Sequence, residues 1–314
     1  MNSYLIRRLI LFIPVLLGST VVIFLLMRVL PGDVADALLT ETGNPKAAEL
    51  LREQFGLADS LPVQYMRWFG DVLQGDFGQS LWTGRDVAAR LGETLPVTIE
   101  LAGLAVLFSS VLGISFGILA AVYQDRAPDY IFRSISIVGL SVPNFWLGSL
   151  LLILPAIWWG YSPPLAYKDL WEDPVQNLKQ LLFPSIALGV GLSAIIARMT
   201  RNVMLDILRE DYVRTARAKG LDGLSVVLRH AVPNGMIPVV TLIGSQLGFL
   251  LGGTVIMESI FTLPGLGFST LESVTLRDYP QLQANILVYA AMLMAINLFV
   301  DLLYGWLDPR IRYK

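Results

Sequence analysis

Long apolar runs without a charged side chain are the dominant feature of this sequence. They cover residues 9–27, 101–123, 134–160, 181–197, 236–257 and 279–300, and the fourth is the weakest. A helix needs about 20 mostly apolar residues to cross the hydrocarbon core of a bilayer. Charged residues make up only 15% of the chain, whereas a soluble domain carries about 25%. The sequence therefore predicts an all-α integral membrane protein with six transmembrane helices.

The first run has a second interpretation, because Arg7 and Arg8 precede it as they would in a cleaved signal peptide. The apolar core of a signal peptide has about 7–15 residues, and residues 9–27 exceed that length. Five further runs follow. We therefore interpret the first run as a retained transmembrane helix.

The distribution of Lys and Arg predicts how the helices are oriented. The N-terminus, residues 124–133, residues 198–235 and the C-terminus hold 14 basic residues, whereas residues 161–180 and 261–278 hold 3. Short loops rich in Lys and Arg remain in the cytoplasm, so both termini are predicted to be cytoplasmic. The predicted organisation is an N-terminus with the first helix (1–30), a small external region (31–98) and a five-helix domain (99–314). That last domain includes a cytoplasmic loop at residues 201–235.

The composition of the sequence argues against several classes of site and function. The chain has no cysteine and one histidine, His230, which excludes disulfides, thiolate metal sites and histidine clusters. A net charge of −2 gives no basic footprint for nucleic acid. The ionisable residues beside the runs lie at their ends, where long side chains reach the interface: Arg28, Glu100, Arg198, Glu258 and Asp301. An ion-coupled transporter or a membrane-embedded enzyme therefore has no evident carrier or catalytic group here.

Glycines recur every four residues in two of the runs, at Gly113 and Gly117 and at Gly244, Gly248 and Gly252. This spacing aligns small residues on one helix face and lets neighbouring backbones approach closely. We expect both faces to pack against other helices.

A polar break interrupts the third run at Ser141, Pro143 and Asn144. Proline removes a backbone donor and kinks a helix, and unwound backbone at membrane depth is tolerated only beside protein or a watery cavity. We hypothesise that Ser141, Asn144 and Gln246 of the fifth run face a translocation route or its gate. Hydrogen bonding between helices is the alternative.

The loop between the fourth and fifth runs has the most informative spacing. A helix is predicted over residues 205–219, and Gly220 follows where a left-handed residue ends a helix. Asp222 can cap a second short helix, which Pro233 would limit. Ala216 and Ala218 would keep part of the loop surface narrow enough to enter a cleft. A plain basic connection explains the charge but not this spacing.

With these residues in place, the chain resembles the permease subunits of ATP-binding-cassette importers, in the dipeptide, oligopeptide and nickel branch. The general importer loop reads E-A-A, three residues, G, nine residues, I-x-L-P. Here Arg214, Thr215 and Ala216 stand at the E-A-A positions and Gly220 at the glycine, and His230, Val232 and Pro233 stand at the I, L and P positions. The departures at Arg214, Thr215 and His230 are those of the peptide branch, with its A-R-A-K-G-L and H-A-x-x-N. The other matches are R-x-x-P-G-D at 28–33, G-D-F-G-Q-S at 75–80, E-x-I-F-x-x-P-G-L-G at 258–267, D-L-L-Y at 301–304 and D-P-R-I-R at 308–312.

The resemblance implies partners that share the work of import. This permease would pair with a second, homologous permease, as a heterodimer, in the bacterial plasma (inner) membrane. Two cytoplasmic ATPase subunits would dock on the loops, and an external substrate-binding protein would deliver the substrate. The residues implied to couple the ATPase to the membrane helices are Asp211, Tyr212, Arg214, Thr215, Ala216, Arg217, Ala218, Lys219, Gly220, Leu221 and Pro233.

The sequence contains no G-x-x-x-x-G-K-[ST] segment, so it lacks the loop that cradles ATP phosphates. We expect no enzyme activity and no cofactor in this chain, with ATP and Mg bound by the partner ATPase subunits. The resemblance favours di- or oligopeptides as substrate and leaves nickel complexes and oligosaccharides open. A passive membrane protein is the remaining alternative, and it leaves the loop spacing unexplained.

Overall fold

The computed structural model describes residues 2–29, 43, 45–54, 59–164 and 166–307, and in these ranges it contains helices, turns and one isolated bridge between Gln79 and Asp86. The helices are α1 (Asn2–Val29), α2 (Pro45–Gln54), α3 (Leu61–Leu73), α4 (Val87–Val122), α5 (Ala127–Ser141), α6 (Asn144–Trp159), α7 (Pro174–Ile207), α8 (Asp211–Ala218), α9 (Gly223–Ser225), α10 (Val232–Phe261), α11 (Leu266–Leu276) and α12 (Tyr279–Leu307). A π-helical turn (Val226–Ala231) joins α9 to α10.

The all-α membrane architecture is confirmed. In the described part of the chain, five helices are each long and apolar enough to cross a membrane, namely α1, α4, α7, the continuous stretch from α9 to α10, and α12. The pair α5 and α6 would make a sixth crossing. The motif residues at 31–33 and 308–312 lie outside the described residues.

The third predicted run is not one continuous helix. Helices α5 and α6 meet at an angle of 97°. Val142 and Pro143 between them have extended backbone, and Pro143 has no N–H with which to continue the ladder. The kink predicted at Pro143 is therefore a full break.

The fourth and shortest predicted run, residues 181–197, lies in α7, the most buried of the long helices. Of the apolar window in α7, 61% is buried, against 17–33% for the other four long helices. A helix that faces protein on most sides does not need a long lipid-facing apolar surface, which explains why its uncharged run, residues 181–197, is short. Asp173 caps its first turn by accepting the backbone N–H of Gln176 at 3.0 Å.

The chain divides into two compact units. The first comprises the described residues up to Val97 together with Pro264–Ala295, and the second comprises Thr98–Leu263 together with the described residues from Ile296 onward. Helices α4 and α12 contribute to both. The predicted division at residues 30 and 98 stays a prediction.

In the first unit, the G-D-F-G-Q-S segment forms a tight turn that docks onto the connection between α11 and α12. Gly75 and Gly78 have positive φ angles of 82° and 80°, a conformation that glycine adopts without strain. At the end of the turn, the Ser80 hydroxyl donates a hydrogen bond to the Asp278 carboxylate at 2.5 Å. Trp82 donates its indole N–H to the carbonyl of Leu276. The motif therefore has a structural role in this unit.

In the second unit, glycine lets α4 lie almost against the backbone of α7. A Cβ atom added at Gly113 would lie 2.7 Å from the carbonyl oxygen of Ser193, and one at Gly117 would lie 2.6 Å from that of Ala197. The packing role predicted for these two glycines is confirmed. On α10, Gly244 is likewise tight against Val300, but a Cβ at Gly252 would meet nothing within 4 Å. Within the described residues of this chain no helix packs closely against Gly252, and the packing predicted there stays a prediction.

Glu258, which was predicted to lie near the membrane interface, is enclosed by protein, and its depth in the membrane stays a prediction. Its side chain has no exposed surface and accepts a hydrogen bond from the Thr98 hydroxyl at 2.7 Å. Glu100 is also held by protein groups, since its carboxylate accepts the Tyr167 hydroxyl at 2.9 Å and the Asn177 amide at 3.1 Å. The Glu100 carboxylate and burial together raise the pKa of Tyr167, with burial the larger cause.

Candidate functional site

The loop between α7 and α10 folds into a short, separate helix. The predicted helix over residues 205–219 is broken, because α7 ends at Ile207 and α8 begins at Asp211. Leu208 still has helical backbone, but Glu210 is extended, with φ −65° and ψ 148°. Thus α8 is a two-turn helix with its own direction rather than the end of a transmembrane helix.

Helix α8 is seated by two side chains on its inner face. Val213 has no exposed surface and Ala216 is 7% exposed, and the two are three positions apart (i and i+3), so they lie on one face of the helix. They form a small core with Val226, against which Ile207 and Leu208 pack. Ala216 therefore points inward, contrary to the expectation that it narrows the outer surface.

The outer face of α8 is polar and open. The exposed residues are Asp211, Tyr212, Arg214, Thr215, Arg217 and Ala218, followed by Lys219, Gly220 and Leu221 beyond the end of the helix. Within this set, Arg214 pairs with Asp211 at 3.4 Å. Both side chains are well exposed, so the pair adds little stability. This face is available to a partner.

Gly220 ends the segment with a sharp turn, as predicted. Its φ angle is +82°, and the turn is closed by backbone bonds from Gly220 to Arg217 at 3.0 Å and from Leu221 to Ala216 at 3.4 Å. A Cβ at this position would meet nothing within 4 Å. The requirement for glycine is therefore one of backbone conformation and not of space.

Asp222 caps the next helix, also as predicted. Its carboxylate accepts the backbone N–H of Ser225 at 3.0 Å, and hydrogen bonding from Ser225 holds the pKa of the Asp222 carboxyl below its ordinary value. The prediction that Pro233 limits this helix is wrong. The preceding π-helical turn carries the chain directly into α10, and Pro233 lies in the first turn of α10, where a missing N–H is tolerated.

Asn234 is a residue of this site that the sequence did not single out. Its side-chain amide donates to the Tyr212 hydroxyl at 3.3 Å and to the carbonyl of His230 at 2.9 Å. It therefore joins α8 to the first turn of α10. The final N of the H-A-x-x-N pattern was the available signal, but the pattern alone does not indicate a bond to Tyr212.

The segment rests on the ends of the long helices. Met204 of α7 and Ala121 of α4 form a buried cluster with Val227 and Ala231 of the π-helical turn. A Cβ at Gly235 would lie 3.2 Å from the Met204 sulfur. The π-helical turn that follows α8 and α9 is therefore packed closely against α7 and α4.

The three residues expected to face a translocation route are placed on separate elements. Ser141 ends α5, is exposed, and donates its hydroxyl to the carbonyl of Ile137 at 2.9 Å. Asn144 begins α6 and lies against α7, where a Cβ at Gly191 would come within 3.4 Å of its Oδ1. Gln246 is half-buried on α10. Their role stays a prediction.

Two family models together match nearly the whole chain. The binding-protein-dependent transport system inner membrane component matches residues 113–313, and the N-terminal model of the same kind of membrane component matches residues 1–102. The first match contains the whole segment from α7 to α10.

Curated relatives and solved structures agree with these matches. The chain is 40% identical to the dipeptide transport system permease protein DppB of Alkalihalophilus pseudofirmus and to the glutathione transport system permease protein GsiC of Salmonella paratyphi A, over 100% of both chains in each case. A chain of the inward-facing MetNI methionine ABC transporter shares the fold, with a TM-score of 0.56, 18% identity, and coverage of 70% of this chain and 96% of that one. The chain thus belongs to the binding-protein-dependent transport system inner membrane components, the permeases of bacterial ATP-binding-cassette importers.

Proposed function

We propose that this permease forms half of the pathway of an ATP-driven importer of di- or oligopeptides, and that Asp211–Leu221 is where an ATPase subunit docks. The full-length similarity to permeases named for dipeptide and glutathione transport supports the peptide substrate. The geometry of α8 supports the docking role, and it is the observation on which the proposal chiefly depends.

A coupling element must be both exposed and firmly seated. Helix α8 has a buried inner face at Val213 and Ala216, a polar outer face, and a bond from Asn234 to Tyr212 that joins it to α10. Among the outer side chains, Tyr212 is 43% exposed and offers an aromatic anchor. Arg217 and Lys219 are free to approach acidic groups of a partner.

The remaining parts of the importer follow from this assignment. The predominance of Lys and Arg on the side of α8 supports a cytoplasmic location for this segment and for both termini. Two ATPase subunits on that side would hold ATP and Mg. A second, homologous permease would complete the pathway as a heterodimer, and a binding protein would deliver peptide from outside.

Replacing Gly220 tests the docking role. Gly220→Val forces a β-branched residue into left-handed backbone at a cost of about 1–2 kcal/mol, which weakens the native turn by about five- to thirtyfold. The reconstituted importer should lose peptide-stimulated ATP hydrolysis and uptake while the permease stays in the membrane at normal abundance. Gly220→Asn is the matched control, because asparagine adopts this conformation more readily, and it should retain most activity.

Two results would count against the docking role. One is a Gly220→Val importer that assembles and transports like the wild type. The other is equal loss of activity in both variants, because that would show sensitivity to any added side chain and not to the turn. Substrate class is tested separately, by measuring binding of peptides, nickel complexes and oligosaccharides to the cognate external protein.

A further inference from the structure

A cationic pocket opens in the second unit where α4, α5 and α7 converge. It has a volume of about 330 Å³. Its lining comes from one face of each helix, since Arg198 and Arg201 of α7, Arg133 and Ile137 of α5, and Phe116 of α4 all border it. Nothing in the coupling role described above uses this pocket.

Close helix packing builds the floor of the pocket. Gly117 brings α4 against α7, and Gly139 brings α5 against α7, where an added Cβ would lie 3.3 Å from Val190. Phe116 and Phe132 stack with 4.7 Å between their ring centroids and connect α4 to α5. The floor is therefore apolar and held by three helices.

Of the three arginines that line the pocket, only Arg201 forms an ion pair among the described residues. Arg201 is neutralised by Asp129, which accepts its Nε at 2.8 Å and its Nη2 at 2.7 Å. Arg133 and Arg198 are exposed, and neither forms an ion pair with any residue in the part of the chain that the structure describes. The pocket therefore presents two exposed guanidinium groups above an apolar floor, with the Asp129 carboxylate close enough to act on Arg133 but engaged directly by Arg201.

The positions of Arg133 and Arg198 beside uncharged segments suit contact with lipid phosphates. Arg133 directly precedes the uncharged residues 134–160, and Arg198 directly follows the uncharged residues 181–197. Both arginines thus flank uncharged helix, Arg133 in α5 and Arg198 in α7, on the side that the Lys and Arg distribution predicts to be the side of α8. Basic pockets between transmembrane helices on that side suit anionic lipid head groups, and guanidinium groups bind phosphate oxygens in a bidentate manner.

We propose that this pocket binds one anionic phospholipid, with its phosphate held by Arg133 and Arg198 and the start of an acyl chain lying over Phe132 and Ile137. Charge complementarity favours an anionic lipid over a zwitterionic one, and the apolar floor favours a lipid over free phosphate. A lipid bound here would contact α7 at Arg198, about two and a half turns before α7 ends at Ile207, and would brace the helices on which Asp211–Leu221 rests.

Native mass spectrometry of the purified importer complex tests the proposal, with phosphatidylglycerol and phosphatidylcholine as the probes. The wild type should bind phosphatidylglycerol in preference to phosphatidylcholine. The double variant Arg133→Gln/Arg198→Gln should lose affinity for phosphatidylglycerol by about thirtyfold, at about 1 kcal/mol for each charge. Its affinity for phosphatidylcholine should not change.

The matched control is Arg126→Gln/Arg209→Gln, which removes two exposed arginines outside the pocket on the same side of the membrane. It should bind phosphatidylglycerol like the wild type. If the first double variant does not fold, Arg133→Lys/Arg198→Lys keeps both charges and should retain the preference for phosphatidylglycerol. Equal affinity of the wild type for the two lipids would overturn the proposal, as would equal losses in the two glutamine variants.

Discussion

Asp129 is a buried charged residue whose substitution should lower the stability of the fold. Its side chain is fully buried and accepts two bonds from Arg201, which is itself only 16% exposed, and one from the backbone N–H of Asp125 at 3.1 Å. Breaking a buried ion pair leaves an uncompensated charge, which is costlier than losing an exposed pair. The start of α5 is therefore fixed to α7 by electrostatics as well as by packing.

Asp129→Asn should destabilise the permease by about 1–3 kcal/mol, because the partly buried Arg201 guanidinium would lose the carboxylate that accepts two of its hydrogen bonds. Glu172→Gln is the control, since it breaks an exposed pair with Lys168 and should cost less than about 1 kcal/mol. Thermal unfolding in detergent provides the comparison. Similar losses in the two variants would mean that the buried pair contributes no more than a surface pair.

At the scale of the element, the close crossing of α4 and α7 depends on glycine. A methyl group at Gly117 would lie 2.6 Å from the carbonyl oxygen of Ala197, and backbone cannot move aside as a flexible side chain can. Gly103, on the same helix, has nothing within 4 Å of such a methyl group. A substitution at Gly117 therefore reports on helix packing, whereas the same substitution at Gly103 reports on helix propensity alone.

Gly117→Ala should destabilise the protein by about 1–3 kcal/mol, because the added methyl group overpacks the crossing. Gly103→Ala should be neutral or stabilising by up to about 1 kcal/mol, since alanine is the better helix former. Chemical or thermal unfolding measures both variants, and the opposite signs are diagnostic. Stabilisation by both substitutions would contradict the close crossing.

The sequence predicted elements well where one physical requirement decides the outcome. The length of apolar runs follows from bilayer thickness, and the left-handed Gly220 and the cap at Asp222 follow from local backbone chemistry. The break at Leu208–Glu210 has no proline or glycine to signal it. It follows from the packing of Val213 against Val226, which only the folded chain brings together. Similarly, Pro143 indicated a break, but its 97° angle depends on the packing of α5 and α6 against α7.

At the scale of the whole molecule, the proposed docking segment Asp211–Leu221 belongs to the same compact unit as the helices on either side of it. The second unit contains α7, α8 and α10, and the chain carries the transport function of its family without a phosphate-binding loop of its own. In the importer that we propose, an ATPase partner supplies the force, and α8, with its buried inner face and exposed outer face, is the element proposed to receive it.

Labelling of a single cysteine tests this claim most directly, because the chain has no native cysteine. Arg217→Cys places a thiol on the outer face of α8, and Trp171→Cys places one at a residue that is 91% exposed in the connection between α6 and α7. Maleimide labelling rates are compared in permeabilised membranes with and without the ATPase subunits. If α8 docks the ATPase, the ATPase should slow labelling at position 217 by about tenfold or more, as expected for a site buried in an interface, and leave labelling at position 171 unchanged. Equal labelling of position 217 with and without the ATPase would contradict docking at α8.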